Sequence, residues 1–302
     1  MTSGEPRCSA EALARCEPLF ATASLISAWL LIEQPGAWGP DALTESSLPM
    51  EIGRELQRRS TNVRMLLIRH RSASSGAPVF FKAHSGASGV APSLVSAPMP
   101  DPSVLLDVDL IALADGDTGP GEAIDHPIFL VCTHGRHDIC CADQGRPLYR
   151  ALSGSRPDRT WEVSHLGGDR FAGNLLVLPR GDYFGRVEPE HAESLVSGYE
   201  SGRIDLSHHR GRSIQPRLVQ AAEHFLRESD GLDGLDDLLV TDYRRSDHDH
   251  AEVFFHGPGG VVEVRVRARP GPERSYLTCR SDQLGYPVLY DLVSITRVTG
   301  QS

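Results

Sequence analysis

Lysine is almost absent from this chain: of 30 basic side chains only Lys82 is a lysine, and the rest are arginine. A P-loop requires a Gly-Lys-Ser/Thr run, so that nucleotide site is excluded, and Schiff-base chemistry would fall to Lys82 alone. The basic excess of a nucleic-acid binder is missing too, because 40 acidic against 30 basic residues leave a formal net charge of −10. Long apolar runs are also lacking. The longest, Leu19 to Ile32, falls short of the roughly 20 residues a membrane helix needs, and reads as a buried core helix or a passage from helix into strand. A secretory leader would open basic, yet Glu5, Glu11 and Glu17 stand against Arg7 and Arg15. Neither nucleic acid nor membrane is expected as a partner, and the expected compartment is the cytoplasm. Cysteine is sparse, with six in 302 residues, too few for a disulfide-stapled secreted scaffold. Cys132, Cys140 and Cys141 lie close together, whereas Cys8, Cys16 and Cys279 are scattered and read as small buried hydrophobes.

What is present is the pattern of an α/β protein, and its length suggests about two domains. Ser27 to Glu33 ends in a strand-like WLLIE, Leu48 to Arg59 carries helical spacing at Leu48, Ile52 and Leu56, and Val63 to Arg69 is a continuous apolar strand. Residues 72–122 are rich in Ser, Ala, Gly and Pro, with VFFKA and VLLDVDLIAL as strand candidates between turns. A boundary near 115–125 separates this N-terminal α/β half, residues 1–122, from a unit at 123–205.

That unit reads as strand Ile128–Cys132, a helix from about Ala142, strand Trp161–Ser164, a hairpin of Leu175–Leu178 with Tyr183–Val187, and helix His191–Tyr199. These are the ingredients of a thioredoxin-like domain, and the N-terminal half shows the same order, as a degenerate duplicate would. Residues 206–302 suggest a C-terminal α+β module: helix Pro216–Glu228, then strand candidates LLVTDYR, AEVFFHG, VVEVRVRAR and SYLTCR. His208-His209-Arg210 reads as linker, Asp247-His248-Asp249-His250 as a solvated turn, and the GDTGPG stretch at 116–121 as a turn.

Chemistry concentrates in two segments. Cys132-Thr133-His134-Gly135-Arg136-His137-Asp138-Ile139-Cys140-Cys141 places one thiol at a strand end and two more a loop later, and Ser164-His165-Leu166-Gly167-Gly168-Asp169-Arg170-Phe171 sets an imidazole and a carboxylate four residues apart. Soft thiolates select iron-sulfur clusters, zinc or copper(I), and imidazole suits iron and zinc. Adjacent Cys140 and Cys141 point in different directions, so one centre takes only one of them. The residues alone leave open a strand-end thiol with a hydrogen-bonded core histidine instead of a metal site. Ser164, His165 and Asp169 do not make a hydrolase triad, since no Gly-x-Ser-x-Gly elbow accompanies them.

These motifs, with Trp161-Glu162, Asn174, Leu178-Pro179 and Tyr183-x-Gly185-Arg186-Val187, resemble the sucrase/ferredoxin-like family of thioredoxin-like ferredoxins, over about residues 8–200. In fungal members two cysteines nine residues apart and two histidines four apart hold a 2Fe-2S cluster. The resemblance implies Cys132, Cys141 and His165 as metal ligands, with Asp169 where the second histidine would stand. Other fourth donors are water, His134 or His137, and Cys140 could replace Cys141. Arg136 and Arg170 beside the ligands would screen the cluster's charge. The implied role is an electron carrier working with a redox partner protein, rather than a catalyst with its own substrate. Two other readings stand beside it: a cluster-free or zinc-holding binding protein, and a thiol redox protein using Cys140 or Cys141 with Cys132 as resolving residue.

Overall fold

Strands buried on both faces form the centre of the molecule, as in sheets covered by helices. The computed structural model describes residues 7–59, 62–70, 77–87 and 89–298. A short helix α1 (Cys8–Ala14) leads through an extended segment to β1 (Ala28–Glu33), all of it buried. Helix α2 (Met50–Arg59) turns Ile52 and Leu56 inward and returns the chain to β2 (Val63–Arg69), parallel to β1. Antiparallel β3 (Val79–His84) and β4 (Ser93–Pro98) follow, then α3 (Leu110–Ala114) and the short β5 (Glu122–Ala123).

The next segment repeats the scheme. Strand β6 (Ile128–Cys132) passes through α4 (Ile139–Ser155) to a parallel β7 (Thr160–Val163), and β8 (Leu175–Leu178), β9 (Asp182–Phe184) and α5 (Pro189–Glu200) complete it. The order β9-β8-β6-β7 mirrors β4-β3-β1-β2, so each half carries the thioredoxin-like arrangement. An antiparallel contact between β2 and β7, pairing Ile68 with Val163 and Arg69 with Glu162, fuses the halves; with β10 (His209–Arg212) the sheet has ten strands.

Alternation along the strands sorts the core. Trp29, Leu31, Leu130, Cys132 and Val163 face one cluster shared by both halves, whereas Leu30 and Ile32 pack under α2 and α3, and Phe129 and Val131 under α4 and α5. The C-terminal module is α6 (Arg217–Asp230) laid on an antiparallel sheet of β11 (Leu239–Arg245), β12 (His250–Gly257), β13 (Gly260–Pro270) and β14 (Val288–Val298). Val262, Val264 and Val266 of β13 face Leu218, Val219, Ala222 and Leu226 of α6, as the alternation predicts.

Several local expectations give way to capping and burial. VLLDVDLIAL forms a 3-10 turn and α3 instead of a strand, because the side chains of Asp101 and Asp109 accept backbone N–H groups and start helical turns. Helix α4 begins at Ile139, ahead of Ala142, since Asp138 caps it. SYLTCR is not a strand; it belongs to the long loop 271–287, and β14 supplies the fourth strand. The segment after Leu19 is extended up to β1, with Thr22 and Ile26 hydrogen-bonded to the backbone of Arg210 and Ser213. His208-His209-Arg210 is no linker: His209 and Arg210 lie in β10, and the fully buried Arg210 donates to the carbonyls of Thr22 and Gly167 and to Asn174 Oδ1. Charge suggests solvent in a sequence, but a guanidinium can be buried where protein oxygens accept its donors. Residues 72–76 of the Ser/Gly-rich stretch lie outside the described residues.

Where α4 crosses β6, Gly145 is required by close approach: a Cβ there would sit on the carbonyl oxygen of Cys132. Gly145→Ala is therefore expected to cost about 1–3 kcal/mol of unfolding free energy, the range for overpacking, measured by urea denaturation. An unchanged midpoint would contradict this packing.

Candidate metal centre

Cys132 ends β6, where its N–H donates to the carbonyl of Asn174 at 3.0 Å. The chain then turns through residues 133–138, and Asp138 Oδ1 accepts the N–H of Cys140 at 2.9 Å to open α4. Such a cap is worth about 1 kcal/mol. Successive side chains in a helix diverge by about 100°, so fixing this start sends Cys141 inward to Cys132 and Cys140 to the opposite side. Cys140 therefore does not substitute for Cys141 at this centre.

His165 follows β7, and the two glycines behind it explain how a residue four positions on returns to the same place. Gly167 and Gly168 have φ of +87° and +78°, a left-handed turn that side chains resist, and Asp169 then opens a 3-10 turn. A Cβ on Gly168 would also collide with the guanidinium of Arg210, which braces this loop. Asp169 Oδ1 ends 3.0 Å from His165 Nδ1 and 3.3 Å from Cys141 Sγ.

The donor atoms form two groups sharing one member. Those of Cys132, Cys141 and His165 lie within 4.8 Å of one another, as do those of His137, His165 and Asp169. Both cysteines and Asp169 are buried, while the His165 side chain is 24% exposed. A hydrogen bond from the Cys141 thiol holds Cys132 well below the usual thiol range, and the His165 imidazolium adds to this. The same bond, with burial and the nearby negative charges of Cys132 and Asp169, pushes Cys141 up. Burial disfavours the charged His165, yet the closeness of Asp169, 3.0 Å from Nδ1, and of Cys132 overcomes it and raises the imidazole to about 9.

Other residues from the sequence reading take different places. His134 has both ring nitrogens engaged, Nε2 with the Gly39 carbonyl at 2.8 Å and Nδ1 with the N–H of His165 at 3.3 Å, so it positions His165 and offers no ligand atom. His137 stacks on His165 with centroids 3.7 Å apart and accepts from Arg280 at Nδ1. Arg136 is exposed on the turn. Arg170 donates to Glu17 at 2.6 Å and lies over the Phe171 ring, so its charge is directed at Glu17.

Sequence reasoning missed a second convergence on the other side of Asp138. Cys8 and Cys279 meet Cys140 and Asp138 there, the four donor atoms within 4.8 Å of one another. Cys8 and Cys279 stand 271 positions apart, so no spacing in the sequence signals the meeting. Loop 271–287 reaches from the C-terminal sheet to α4, where Asp138 Oδ2 accepts the Cys279 N–H at 2.7 Å and the Thr278 hydroxyl at 3.0 Å.

Comparison with known proteins finds a family model described as Sucrase/ferredoxin-like matching residues 19–211. Among curated relatives, "Altered inheritance of mitochondria protein 32" of Meyerozyma guilliermondii is 32% identical over 83 residues, 24% of this chain and 29% of the relative. The protein of the same name from Eremothecium gossypii is 32% identical over 120 residues, 32% of this chain and 38% of the relative. The matches thus span about a third of these relatives or less. Two cysteine-to-serine variants of the thioredoxin-like 2Fe-2S ferredoxin from Aquifex aeolicus share 16% identity, with TM-scores of 0.26 and 0.25, over 28% of this chain and 97% of theirs.

His134→Ala removes both hydrogen bonds that tie His165 to the Gly39 loop. It is expected to destabilise the fold by about 1–3 kcal/mol, as for buried groups left unpaired, measured by chemical denaturation. A change within about 0.5 kcal/mol, the range of an ordinary surface substitution, would contradict this positioning role.

Proposed function

The chain belongs to the sucrase/ferredoxin-like family, and on that premise we propose that it is a one-electron redox protein with a 2Fe-2S cluster held by Cys132, Cys141, His165 and Asp169. The observation that carries the reading is the convergence of buried Cys132 and Cys141 with His165, continued through His165 to Asp169. The donor set fits: two thiols suit one iron, a nitrogen and an oxygen donor suit another, and the overlapping groups extend beyond the sphere of a single ion. When bound, such a cluster supplies reversible one-electron transfer.

The protein's own residues prepare and shield the site. The Cys132 thiol is lowered by its neighbour and so gives up its proton more readily, and His165 must release its proton to act as a ligand, as metal binding generally requires. Phe171, Leu166 and Val163 are fully buried around the same turn and exclude water. His165 is partly exposed and stacks on His137, and Arg280 stands beside His137 on the same face. A redox partner protein would dock on this face. The thiol-redox alternative needs accessible sulfur, yet Cys132, Cys140 and Cys141 are each at most 2% exposed. Among the described residues no helix is long and apolar enough to cross a membrane, and all six cysteines are free. The reading places the protein in a reducing compartment such as the cytoplasm.

Anaerobic purification followed by iron and acid-labile sulfide analysis tests this directly. About two of each per chain, with visible absorption that bleaches under dithionite, is expected in the wild type and in Cys140→Ser, and is lost in Cys132→Ser or Cys141→Ser. Absence of iron after reconstitution would overturn the reading. A carboxylate ligand adds negative charge and disfavours the reduced state, so potentiometry of Asp169→His should show a higher reduction potential. An unchanged or lower potential would remove Asp169 from the ligand set.

A further inference from the structure

We infer that Cys8, Cys140, Cys279 and Asp138 form a second, separate metal site that takes a single thiophilic cation, zinc by its chemistry. The four residues come from three remote parts of the chain: the first position of α1, the first turn of α4 with its cap, and loop 271–287. Cys8 Sγ lies 3.8 Å from Cys140 Sγ and 3.7 Å from Asp138 Oδ2, and Cys140 Sγ lies 3.4 Å from Cys279 Sγ.

A tetrahedron with zinc–sulfur bonds of about 2.3 Å has sulfur–sulfur edges of about 3.8 Å. The Cys8–Cys140 sulfur separation of 3.8 Å matches that edge, and the Cys140–Cys279 separation of 3.4 Å is somewhat shorter. They are far longer than the roughly 2.05 Å of a disulfide, and all four donors fit the sphere of one ion. Three thiolates and a carboxylate carry the same charge as the four cysteines of a common structural zinc site, and sulfur donors disfavour magnesium or calcium.

The surroundings are those of a closed structural site. Cys8, Cys140 and Asp138 are buried, Cys279 is partly so, and Ala172 and Tyr276 pack beside them. Hydrogen bonds fix the donors from outside. Cys8 N–H donates to Cys279 Sγ at 3.3 Å, Cys140 N–H to Asp138 Oδ1, and Cys279 N–H and the Thr278 hydroxyl to Oδ2. Such supporting contacts orient metal ligands and tune their affinity. Arg7, Arg280 and Asp282 line the depression over this cluster. The cation would clamp the N-terminal helix and the C-terminal loop onto the start of α4, next to Cys141 but sharing no ligand with the first centre.

Zinc analysis of Cys132→Ser/Cys141→Ser, which lacks the first pair of thiols, isolates the second site from the iron question. About one zinc per chain is expected to remain there, and to be lost in Cys8→Ser/Cys279→Ser while the iron content of that variant is unchanged. Should the latter fail to fold, cobalt substitution of the Cys132→Ser/Cys141→Ser protein answers alone: intense sulfur-to-cobalt charge transfer with tetrahedral visible bands is expected. Zinc that disappears with Cys132 and Cys141, a cobalt spectrum without thiolate bands, or a Cys140–Cys279 disulfide in place of metal would each overturn the proposal. Iron absent with zinc present would refute the cluster reading and leave this site standing.

Discussion

Asp138 caps α4 from a buried position, and the directions of Cys140 and Cys141 follow from that cap. One carboxylate oxygen takes the N–H of Cys140, and the other takes the N–H of Cys279 and the hydroxyl of Thr278 while lying against the Cys8 thiol. Because the helix starts there, the neighbouring cysteines leave it about 100° apart. Cys141 joins the end of β6, and Cys140 joins Cys8 of α1 and Cys279 of loop 271–287. A buried carboxylate is costly unless fully hydrogen-bonded, so the loop and helix that satisfy it are held in return.

The doubled thioredoxin-like sheet explains where this arrangement can stand. Pairing of β2 with β7 buries the adjoining strand ends, and β6 and β7 each deliver one ligand segment from their C-terminal ends, where loops build sites in parallel sheets. In the N-terminal half the corresponding place after β1 holds Gln34, Pro35 and Gly36, which offer no thiol. That half instead contributes the Gly39 carbonyl that fixes His134, and through it His165. The C-terminal module contributes loop 271–287, so the site is assembled by all three parts of the chain.

Much of this was legible in the sequence. Continuous apolar runs mark β1, β2 and β6, alternation marks β13, and the cysteine and His-x-Gly-Gly-Asp motifs mark the first centre. Helix starts were less legible, because Asp138 and Asp109 act through side-chain bonds to one and two helix N–H groups, which hydrophobic periodicity does not register. Arg210 reads as linker and is buried, since carbonyls more than 40 residues away accept from it. Cys8 and Cys279 read as isolated hydrophobes for the same reason: their meaning lies in tertiary proximity alone. Loop 271–287 carries apolar residues at strand-like spacing, yet it is fixed by hydrogen bonds to α4 rather than by a sheet.

The central claim is that an imidazole, at His165, completes a cysteine-bound iron centre. Nitrogen hyperfine spectroscopy on the dithionite-reduced, iron-loaded protein tests it most directly. The account predicts coupling to a directly bound imidazole nitrogen that disappears in His165→Ala. A reduced centre with no nitrogen coupling, or coupling that survives His165→Ala, would contradict it.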